Sequence, residues 1–428
     1  MNNKIFLLKK SHLIDPVNTE DRIVDILIVD GIIQKVTDSI TADRNTTIID
    51  LDGKIVCPGF LDMHVHLREP GYEYKETINT GLSAAANGGF TALCCMPNTQ
   101  PVIDSASTIR LIQEKAKNKI VDVYPIGAVT KGREGNELSP MMELAETGAV
   151  AFSDDGSPVG SAEVMRRALE YVSMLRKPII QHAEELSLSQ GGIMNEGYYS
   201  TKLGMPPIPS IAEEVMIARD IHLIEYTKAQ YHVAHISTRN AIDLVRGAKK
   251  KNLSISCEVA PHHFVLTEED VCSFDTNTKM NPPLRSRDDV QALKEGLRDG
   301  TIDAIATDHA PHSFDEKQVE YTYAPFGIVG LETAIGLACT ELLHQNILTV
   351  QGLVEKCSVN PRNILHLPVI KFEEGQRANI TIIDPSVEWI VDMHRFKSKG
   401  RNTPFHGKRL KGKPFGIFNN GTLLLTDL

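Results

Sequence analysis

The 428-residue sequence lacks the cysteine patterns of disulfide-rich and thiolate-metal proteins. Its seven cysteines are odd in number, widely spread and free of C-x-x-C spacing. This predicts buried or free thiols in a reducing compartment. Long apolar runs are also missing: only residues 5–8 are apolar before two lysines, too few for the apolar part of a signal peptide, and no stretch approaches the length of a membrane span. We therefore expect a cytoplasmic location.

An excess of positive charge is absent too. With 45 Lys and Arg against 55 Asp and Glu, the formal net charge is -10, which disfavours nucleic acid and anionic membranes as partners. Proline and glycine are not enriched, and no short repeat or low-complexity segment is visible. The composition is that of an ordinary globular protein, in which an anionic substrate would need local cations to bind it.

Both ends of the chain have the pattern of short strands. The segments KIFLLKK, DILIVDGIIQKV and TTIIDLDGKIV near the start, and RANITIIDP and GTLLLTDL near the end, place apolar runs between turns. We predict that residues 1–54 and 368–428 together form one small β-sandwich domain.

Residues 55–367 have a different pattern, in which buried-strand segments alternate with helical segments. The predicted strands are 55–66, 91–96, 121–130, 148–153, 178–182, 230–237, 253–259 and 301–307. The stretches KETINTGLSAAANGG, SAEVMRRALEYVSMLRK, IAEEVMIARDIHLIEYTK and TRNAIDLVRGAKKK have apolar residues at helical spacing. Eight such units predict an α/β fold with a (β/α)8 TIM-like barrel. An open doubly wound sheet is the alternative.

Residues of metal-ligand type follow five of these strands. They are His64 and His66, Asp154 or Asp155, His182, His235 and Asp308. The carboxyl ends of barrel strands meet at one face, so these side chains should converge there. His64 and His66 are two residues apart and project from the same side of an extended strand. Imidazole and carboxylate ligands suit Zn²⁺, Mn²⁺, Co²⁺ or Fe²⁺, and we predict a metal site.

Each histidine also has an ordinary structural explanation when it is taken alone. A single His182 after an apolar run is more often a hydrogen-bonded core residue than a ligand, and one H-x-H pair can arise from strand alternation. The coincidence at five strand ends favours the metal site. Four other histidines are weaker ligand choices and are expected in the strand, the loops or the surroundings of the site: His232, His262, His263 and His309.

Eight motifs occur in an order typical of a known enzyme family. They are GFLDMHVHLREPG, CCMPNT, AFSDDG, QHAEE, VAHIST, CEVAPHHF, KMNPPLR and IATDHAPH. In these motifs the chain resembles the amidohydrolase superfamily and, within it, the class I dihydroorotases. H-x-H with a late Asp is generic to the superfamily, whereas HLREPG, MPNT and MNPPLR are more selective.

The resemblance implies a hydrolase that reversibly cyclises N-carbamoyl-L-aspartate to L-dihydroorotate in de novo pyrimidine biosynthesis, through a metal-activated hydroxide. It implies two Zn²⁺ ions, the first held by His64, His66 and Asp308 and the second by His182 and His235, with Asp308 also acting as proton shuttle. Seven residues would bind the substrate: His66, Arg68, Asn98, Asn281, His312, Phe326 and Gly327. A homodimer and an association with aspartate transcarbamoylase are the partners that the resemblance suggests.

The sequence departs from the superfamily pattern at the position that bridges the two metals. Many members use a carboxylated lysine near the end of the fourth strand, but no lysine lies between Lys131 and Lys177. SDDG stands there, and a subset of class I dihydroorotases is similar in using an aspartate. The 27-residue step to His182 favours Asp155 over Asp154, whose alternative role is to cap the loop.

Arg68 and the loop after the eighth strand bear on substrate binding. A guanidinium pairs with a planar carboxylate through two charge-assisted bonds, whereas the alternative is an Arg68 that neutralises a loop carboxylate such as Glu69. Residues 311–330 are expected to cover the barrel mouth, with a plain surface insertion as the alternative. The competing functions are an allantoinase or hydantoinase, and a non-catalytic partner of aspartate transcarbamoylase.

Overall fold

The apolar segments near the N-terminus form five strands. The computed structural model describes residues 4–428. The strands are β1 (Ile5–Asp15), β2 (Glu20–Val29), β3 (Ile32–Thr37), β4 (Thr47–Asp50) and β5 (Ile55–Pro58). In β2, the alternate side chains of Val24, Ile26 and Ile28 are fully buried, as the two-residue period of a strand facing a core requires.

The middle of the chain supplies nine short strands. They are β6 (Phe60–Val65), β7 (Phe90–Cys95), β8 (Asp122–Pro125), β9 (Ile179–Gln181), β10 (Met194–Asn195), β11 (Pro207–Ile208), β12 (Tyr231–Val233), β13 (Ile255–Val259) and β14 (Ala304–Ile305). Parallel pairing joins β6, β7 and β8 in one arc and β9, β12, β13 and β14 in another. β10 and β11 form a separate pair.

Isolated parallel bridges join the two arcs into a ring. Gly127 and Ile179 both bridge to Phe152, and Val65 bridges to His309. The ring therefore has eight members, and the predicted (β/α)8 barrel is confirmed over the open sheet. Most predicted strands are longer than the observed ones, and two differ more: the fourth strand is reduced to the bridge at Phe152, and the segment predicted as 55–66 divides at Gly59 into β5 and β6.

Fourteen α-helices lie within residues 4–428. They are α1 (Ile78–Asn87), α2 (Ala106–Ala116), α3 (Met141–Thr147), α4 (Ala162–Leu175), α5 (Leu186–Ser189), α6 (Tyr198–Leu203), α7 (Ile211–Thr227), α8 (Arg239–Lys250), α9 (Pro261–Val265), α10 (Arg287–Asp299), α11 (Phe314–Lys317), α12 (Ala334–Ala338), α13 (Val350–Val354) and α14 (Asn360–Ile364). Two π-helical turns, Cys339–Leu343 and Glu355–Val359, follow α12 and α13. Four short 3₁₀ turns are Lys131–Arg133, Glu268–Ser273, Thr276–Thr278 and Met393–Arg395.

The four helices predicted from apolar spacing are confirmed as α1, α4, α7 and α8. Three of them begin at a hydroxyl side chain: Thr77, Ser161 and Thr238 each accept a hydrogen bond from the backbone N–H three residues later. Such caps satisfy a donor that the first turn leaves free. The apolar faces of these helices pack on the outside of the barrel strands in one large core.

Three C-terminal strands complete the outer domain: β15 (Ile380–Ile390), β16 (Arg409–Asn419) and β17 (Thr422–Leu425). Hydrogen bonds join them to the N-terminal strands in one eight-stranded sheet, in the order β17-β16-β15-β5-β1-β2-β3, with β4 beside β1. The sheet has its own apolar core, which includes Leu8, Ile26, Ile380 and Phe418. β5 pairs within this sheet, so the sheet extends to Pro58. The domain boundaries at residues 54 and 368 stay a prediction.

The cysteines agree with the sequence-based expectation of buried or free thiols. All seven cysteines are free, and six of them are buried. Within residues 4–428, no helix is both long and apolar enough to cross a membrane.

Candidate metal centre and active site

The carboxyl ends of the barrel strands bring the six predicted ligands together. His64 lies in β6 and His66 directly after it; Asp155 follows the Phe152 bridge, His182 follows β9, His235 follows β12 and Asp308 follows β14. All six side chains are buried, and none is more than 5% exposed. Buried imidazoles and carboxylates at this density require partners or a cation.

The Asp155 carboxylate lies at the centre of the group. Its Oδ1 is 3.4 Å from His64 Nε2 and 3.6 Å from both His182 Nδ1 and His235 Nε2. Its Oδ2 is 3.5 Å from His66 Nε2. One carboxylate therefore approaches all four histidines, which is the placement that a bridging ligand needs.

Among the four histidines, Asp308 forms its short contacts with the two of the first strand. Its Oδ1 is 3.0 Å from His66 Nε2 and 3.5 Å from His64 Nε2. Burial alone would raise the pKa of the Asp308 carboxyl, but the neighbouring imidazoles outweigh burial and hold this pKa well below its usual range. Asp308 is therefore ionised at neutral pH.

The arrangement fits a metal ion. Two sets, His64–His66–Asp308 and His64–Asp155–His235, each have ligand atoms within 4.8 Å of one another. His64 Nε2 and Asp155 Oδ1 are buried and have no hydrogen-bond partner among the described residues. Burial would lower the pKa of His182, but Asp155 and Glu184 raise it to about 10. The surroundings thus favour positive charge at the centre of the cluster, which a divalent cation would supply.

Three side chains orient the ligand histidines through their second ring nitrogens. His64 Nδ1 donates to Glu258 at 2.6 Å, His66 Nδ1 to Asn98 at 2.9 Å and His182 Nε2 to Glu184 at 3.0 Å. These bonds leave the other ring nitrogen of each histidine to face the cluster, as in many metal sites. Sequence reasoning missed Glu184 and Glu258. The available signal, for Glu258, was a glutamate inside the predicted buried strand 253–259, where only a partnered carboxylate is tolerated.

Three of the site residues have left-handed backbone conformations. The φ angles are +61° for Arg68, +31° for His235 and +47° for Asp308. Such angles are uncommon for residues with a Cβ and persist where the surrounding structure imposes them, often at functional sites. Here they turn side chains at the strand ends toward the cluster.

Asp154, the alternative to Asp155, has different partners. Its carboxylate accepts hydrogen bonds from the backbone N–H groups of Val129 and Thr130, at 2.8 and 3.1 Å, and from the Thr130 hydroxyl. Burial raises its pKa to about 6. Asp154 therefore ties the loop after the third strand to the fourth, which is the capping role that the sequence offered as its alternative.

A cavity of about 340 Å³ opens beside the cluster. All seven predicted substrate-binding residues line it: His66, Arg68, Asn98, Asn281, His312, Phe326 and Gly327. Arg68 Nε donates to Pro311 O at 3.2 Å. Glu69 is instead paired with Lys115 and accepts from Ile78 N at 2.7 Å. These partners leave no need for Arg68 to neutralise Glu69.

The loop of residues 311–330 forms one wall of this cavity. His312 Nε2 donates to Phe326 O at 2.8 Å, and the buried Lys317 ammonium donates to Thr276 O and Pro325 O, at 3.0 and 2.7 Å. The loop thus folds back on itself at the barrel mouth. Its closure over substrate stays a prediction.

Three further histidines near the cluster have other partners, whereas the buried His262 Nε2 has no hydrogen-bond partner among the described residues. His232 Nδ1 hydrogen-bonds Ser256 Oγ at 2.7 Å, and His263 Nε2 donates to Pro282 O at 2.9 Å. His309 points away from the cavity toward the buried Glu76, 3.4 Å away. None of the three is placed to complete the metal site.

The barrel has an outer sheet domain built from both chain ends and a buried cluster of four histidines and two aspartates at its mouth. Together these features define a metal-dependent amidohydrolase. A family model described as dihydro-orotase-like matches residues 53–241, and a dihydroorotase of Pelotomaculum thermopropionicum is 52% identical over 421 residues, which are 98% of either chain. The chain belongs to the dihydroorotase family.

Further relatives agree in sequence, and solved structures agree in fold. A dihydroorotase of Acetivibrio thermocellus is 51% identical over 98% of this chain and 99% of its own. The L-hydantoinase of Arthrobacter aurescens superposes with a TM-score of 0.88 at 23% identity, covering 98% of this chain and 96% of its own. The dihydropyrimidinase of Brevibacillus agri has a TM-score of 0.85 at 20% identity over 99% and 95% of the two chains. At these identities the structures show a shared fold.

Proposed function

We propose that the chain catalyses the reversible ring closure of N-carbamoyl-L-aspartate to L-dihydroorotate, with Asp308 as the proton carrier. The observation that carries the proposal is that Arg68 and members of the histidine and aspartate cluster line the same cavity. A hydrolase site next to a guanidinium suits a cyclic amide that carries a carboxylate. Two of the curated relatives above bear the name dihydroorotase.

The metal proposal is two Zn²⁺ ions per chain. His64, His66 and Asp308 would hold the first ion, His182 and His235 the second, and Asp155 would bridge them. When bound, the pair would lower the pKa of a water molecule and polarise the carbonyl under attack. Four nitrogen and two carboxylate ligands, without a thiolate, are compatible with zinc in a catalytic site.

The chain's own residues would bind the substrate and move its proton. Arg68 and Asn98 would receive the substrate carboxylate, with Asn281, His312 and the backbone at residues 326 and 327 around it. Asp308, held ionised as described above, would take the proton of the attacking water and deliver it to the ring nitrogen as the amide bond breaks. Ring closure runs through the same steps in reverse.

The test is an assay of the pure, metal-quantified protein against dihydroorotate, hydantoin and allantoin. We expect hydrolysis of dihydroorotate. Activity on only the other two would contradict the proposal in favour of a hydantoinase or allantoinase, and loss of all three activities in a metal-loaded protein would favour a non-catalytic partner.

The variant Asp308→Asn tests whether Asp308 acts in proton transfer or in substrate binding. It should lower kcat by about 10²-fold or more, the usual contribution of a general base, while KM changes little. Because Asp308 is also a proposed ligand, metal content must be measured in the same samples. Near-normal turnover would remove Asp308 from this role.

The remaining proposals concern the surroundings of the enzyme. We infer a cytoplasmic location from seven free thiols. A homodimer and an association with aspartate transcarbamoylase rest on family resemblance. Sedimentation of the pure protein, alone and mixed with the transcarbamoylase, tests both.

A further inference from the structure

A segment of the outer domain, residues 396–403, lies against the barrel mouth. It lies within the connection between β15 and β16. The backbone N–H groups of Lys397 and Ser398 donate to Glu332 at 2.7 and 3.2 Å, and Lys399 N donates to Glu76 Oε1 at 3.1 Å. Glu76 and Glu332 are 0% and 4% exposed. Two buried carboxylates of the barrel therefore hold the backbone of this segment.

Asn402 extends from the segment to the wall of the substrate cavity. Its Nδ2 donates to Ala310 O at 2.9 Å and to Gly327 O at 3.0 Å, and its Oδ1 accepts from His312 N at 3.0 Å. The Asn402 main-chain oxygen also accepts from Val329 N at 3.0 Å. The side chain is 4% exposed, and it joins both ends of the loop that forms the cavity wall.

The outer-domain segment and the loop are closely packed around Asn402. A Cβ on Gly400 would lie 2.7 Å from Pro311 Cβ, and a Cβ on Gly327 would lie 2.7 Å from Ala310 O. Gly327 also has a φ of +145°, which residues with a Cβ rarely adopt. The outer-domain segment and the loop therefore meet backbone to backbone, so hydrogen bonds lost at Asn402 would shift the cavity wall.

We propose that Asn402 is a positioning residue for substrate binding. It does not line the cavity, whereas its partners Ala310, His312 and Gly327 do. Asn402 holds His312 and Gly327 in the orientation that receives the substrate carboxylate. The inference rests on the proposed function. It gives the outer domain a role in substrate affinity that is separate from metal binding.

The experiment compares Asn402→Ala and Asn402→Asp with a matched control, Asn419→Ala. Asn419 is also an outer-domain asparagine, 4% exposed, and it donates to two barrel carbonyls, Thr91 O at 3.2 Å and Ile120 O at 2.8 Å, but outside the cavity. Steady-state kinetics with dihydroorotate, metal content and melting temperature are measured for all three variants.

We expect KM to rise by roughly tenfold in Asn402→Ala, the effect of losing about one hydrogen bond between the cavity wall and the substrate, with kcat and metal content nearly unchanged. Asn402→Asp should raise KM at least as much, because a carboxylate accepts from His312 N but repels the two carbonyls. Asn419→Ala should lower the melting temperature without changing KM.

Wild-type KM in both Asn402 variants would overturn the inference, as would equal effects of Asn402→Ala and Asn419→Ala on every readout. If Asn402→Ala does not fold, Asn402→Ser gives the same comparison with one hydroxyl retained. A wild-type protein that does not turn over dihydroorotate would overturn the proposed function and, with it, this inference. An active wild type with unaffected variants would overturn the inference alone.

Discussion

Asp155 and Asp154 are adjacent carboxylates with separate tasks. Asp155 approaches all four histidines, whereas Asp154 accepts hydrogen bonds from Val129 and Thr130. Both residues follow the bridge at Phe152, where the chain leaves the barrel ring, and Asp155 already lies in a turn.

Neutralising each aspartate in turn should separate the two tasks. Asp155→Asn removes the charge between the histidines and should lose at least one of the two proposed metal equivalents. Asp154→Asn should keep the metals and lower stability by about 1–2 kcal/mol, because it replaces an acceptor of three hydrogen bonds. Metal analysis after gel filtration and urea unfolding measure both effects, and the reverse pattern would show that Asp154 is the ligand.

Arg68 lines the cavity next to the cluster, where we propose that its planar pair of donors binds the substrate carboxylate. Arg68→Lys keeps the charge and removes the fork, so KM for dihydroorotate should rise by about tenfold or more while metal content stays constant. Kinetics and metal analysis on the same preparation test this. The matched control is Lys115→Arg, which preserves the pairing of Glu69, and an equal rise in KM there would point to loop structure as the cause.

The cluster of candidate ligands could be predicted from the sequence because each member follows an apolar run that ends at the same barrel face. Their orienting partners could not. Glu184 follows His182 by two residues, and Glu258 lies within β13, but which imidazole each carboxylate meets depends on how neighbouring strands align. Asn402 was beyond sequence reasoning for the same reason, since its contacts join residues more than 70 positions apart.

Among the structural elements, the loop of residues 311–330 has an unusual internal support. Lys317 is 4% exposed and donates to two backbone carbonyls. Burial, followed by repulsion from Lys279, lowers the pKa of Lys317 from 10.5 to about 7. A lysine held in this way is partly neutral near physiological pH.

This pKa predicts a pH dependence of stability. Between pH of about 7 and 10.5 the unfolded chain binds the Lys317 proton more tightly than the folded chain. The free energy of unfolding should therefore rise with pH in this window, by up to about 1.4 kcal/mol per pH unit. Lys317→Met should lose this rise. Urea unfolding at pH 7 and pH 9 measures it, with the exposed Lys251→Met as control, and parallel pH profiles for wild type and Lys317→Met would contradict it.

Elements whose apolar residues recur at a regular spacing were predictable from the sequence. Elements that form because neighbouring strands pair with them were not. The helix α4 was found from its spacing because its apolar stripe faces the barrel. β16 was missed because Gly412, Pro414 and Gly416 interrupt its pattern, and it exists because β15 and β17 pair with it on both sides. The fourth barrel strand was predicted as 148–153, yet only Phe152 bridges to its neighbours.

At the scale of the whole molecule, the outer sheet and the barrel are hydrogen-bonded to each other at several points. Thr381 in β15 accepts from Phe60 N at 3.0 Å and donates to Gly89 O at 2.8 Å. Asn402 and Asn419 add contacts from the segments that follow. These bonds cross the boundary between the two parts, so the two should unfold together.

The single tryptophan makes this cooperativity measurable. Trp389 lies in β15 and donates to Gly412 O at 3.0 Å, so its fluorescence reports on the outer domain, whereas the candidate metal site is in the barrel. Metal removal by a chelator should lower stability, because an ion that binds only the folded state stabilises it. We expect the melting transition to fall by about 3 °C or more. The shift should be the same by tryptophan fluorescence and by far-UV circular dichroism, while a fluorescence transition that stays in place would mean that the outer domain unfolds independently of the barrel.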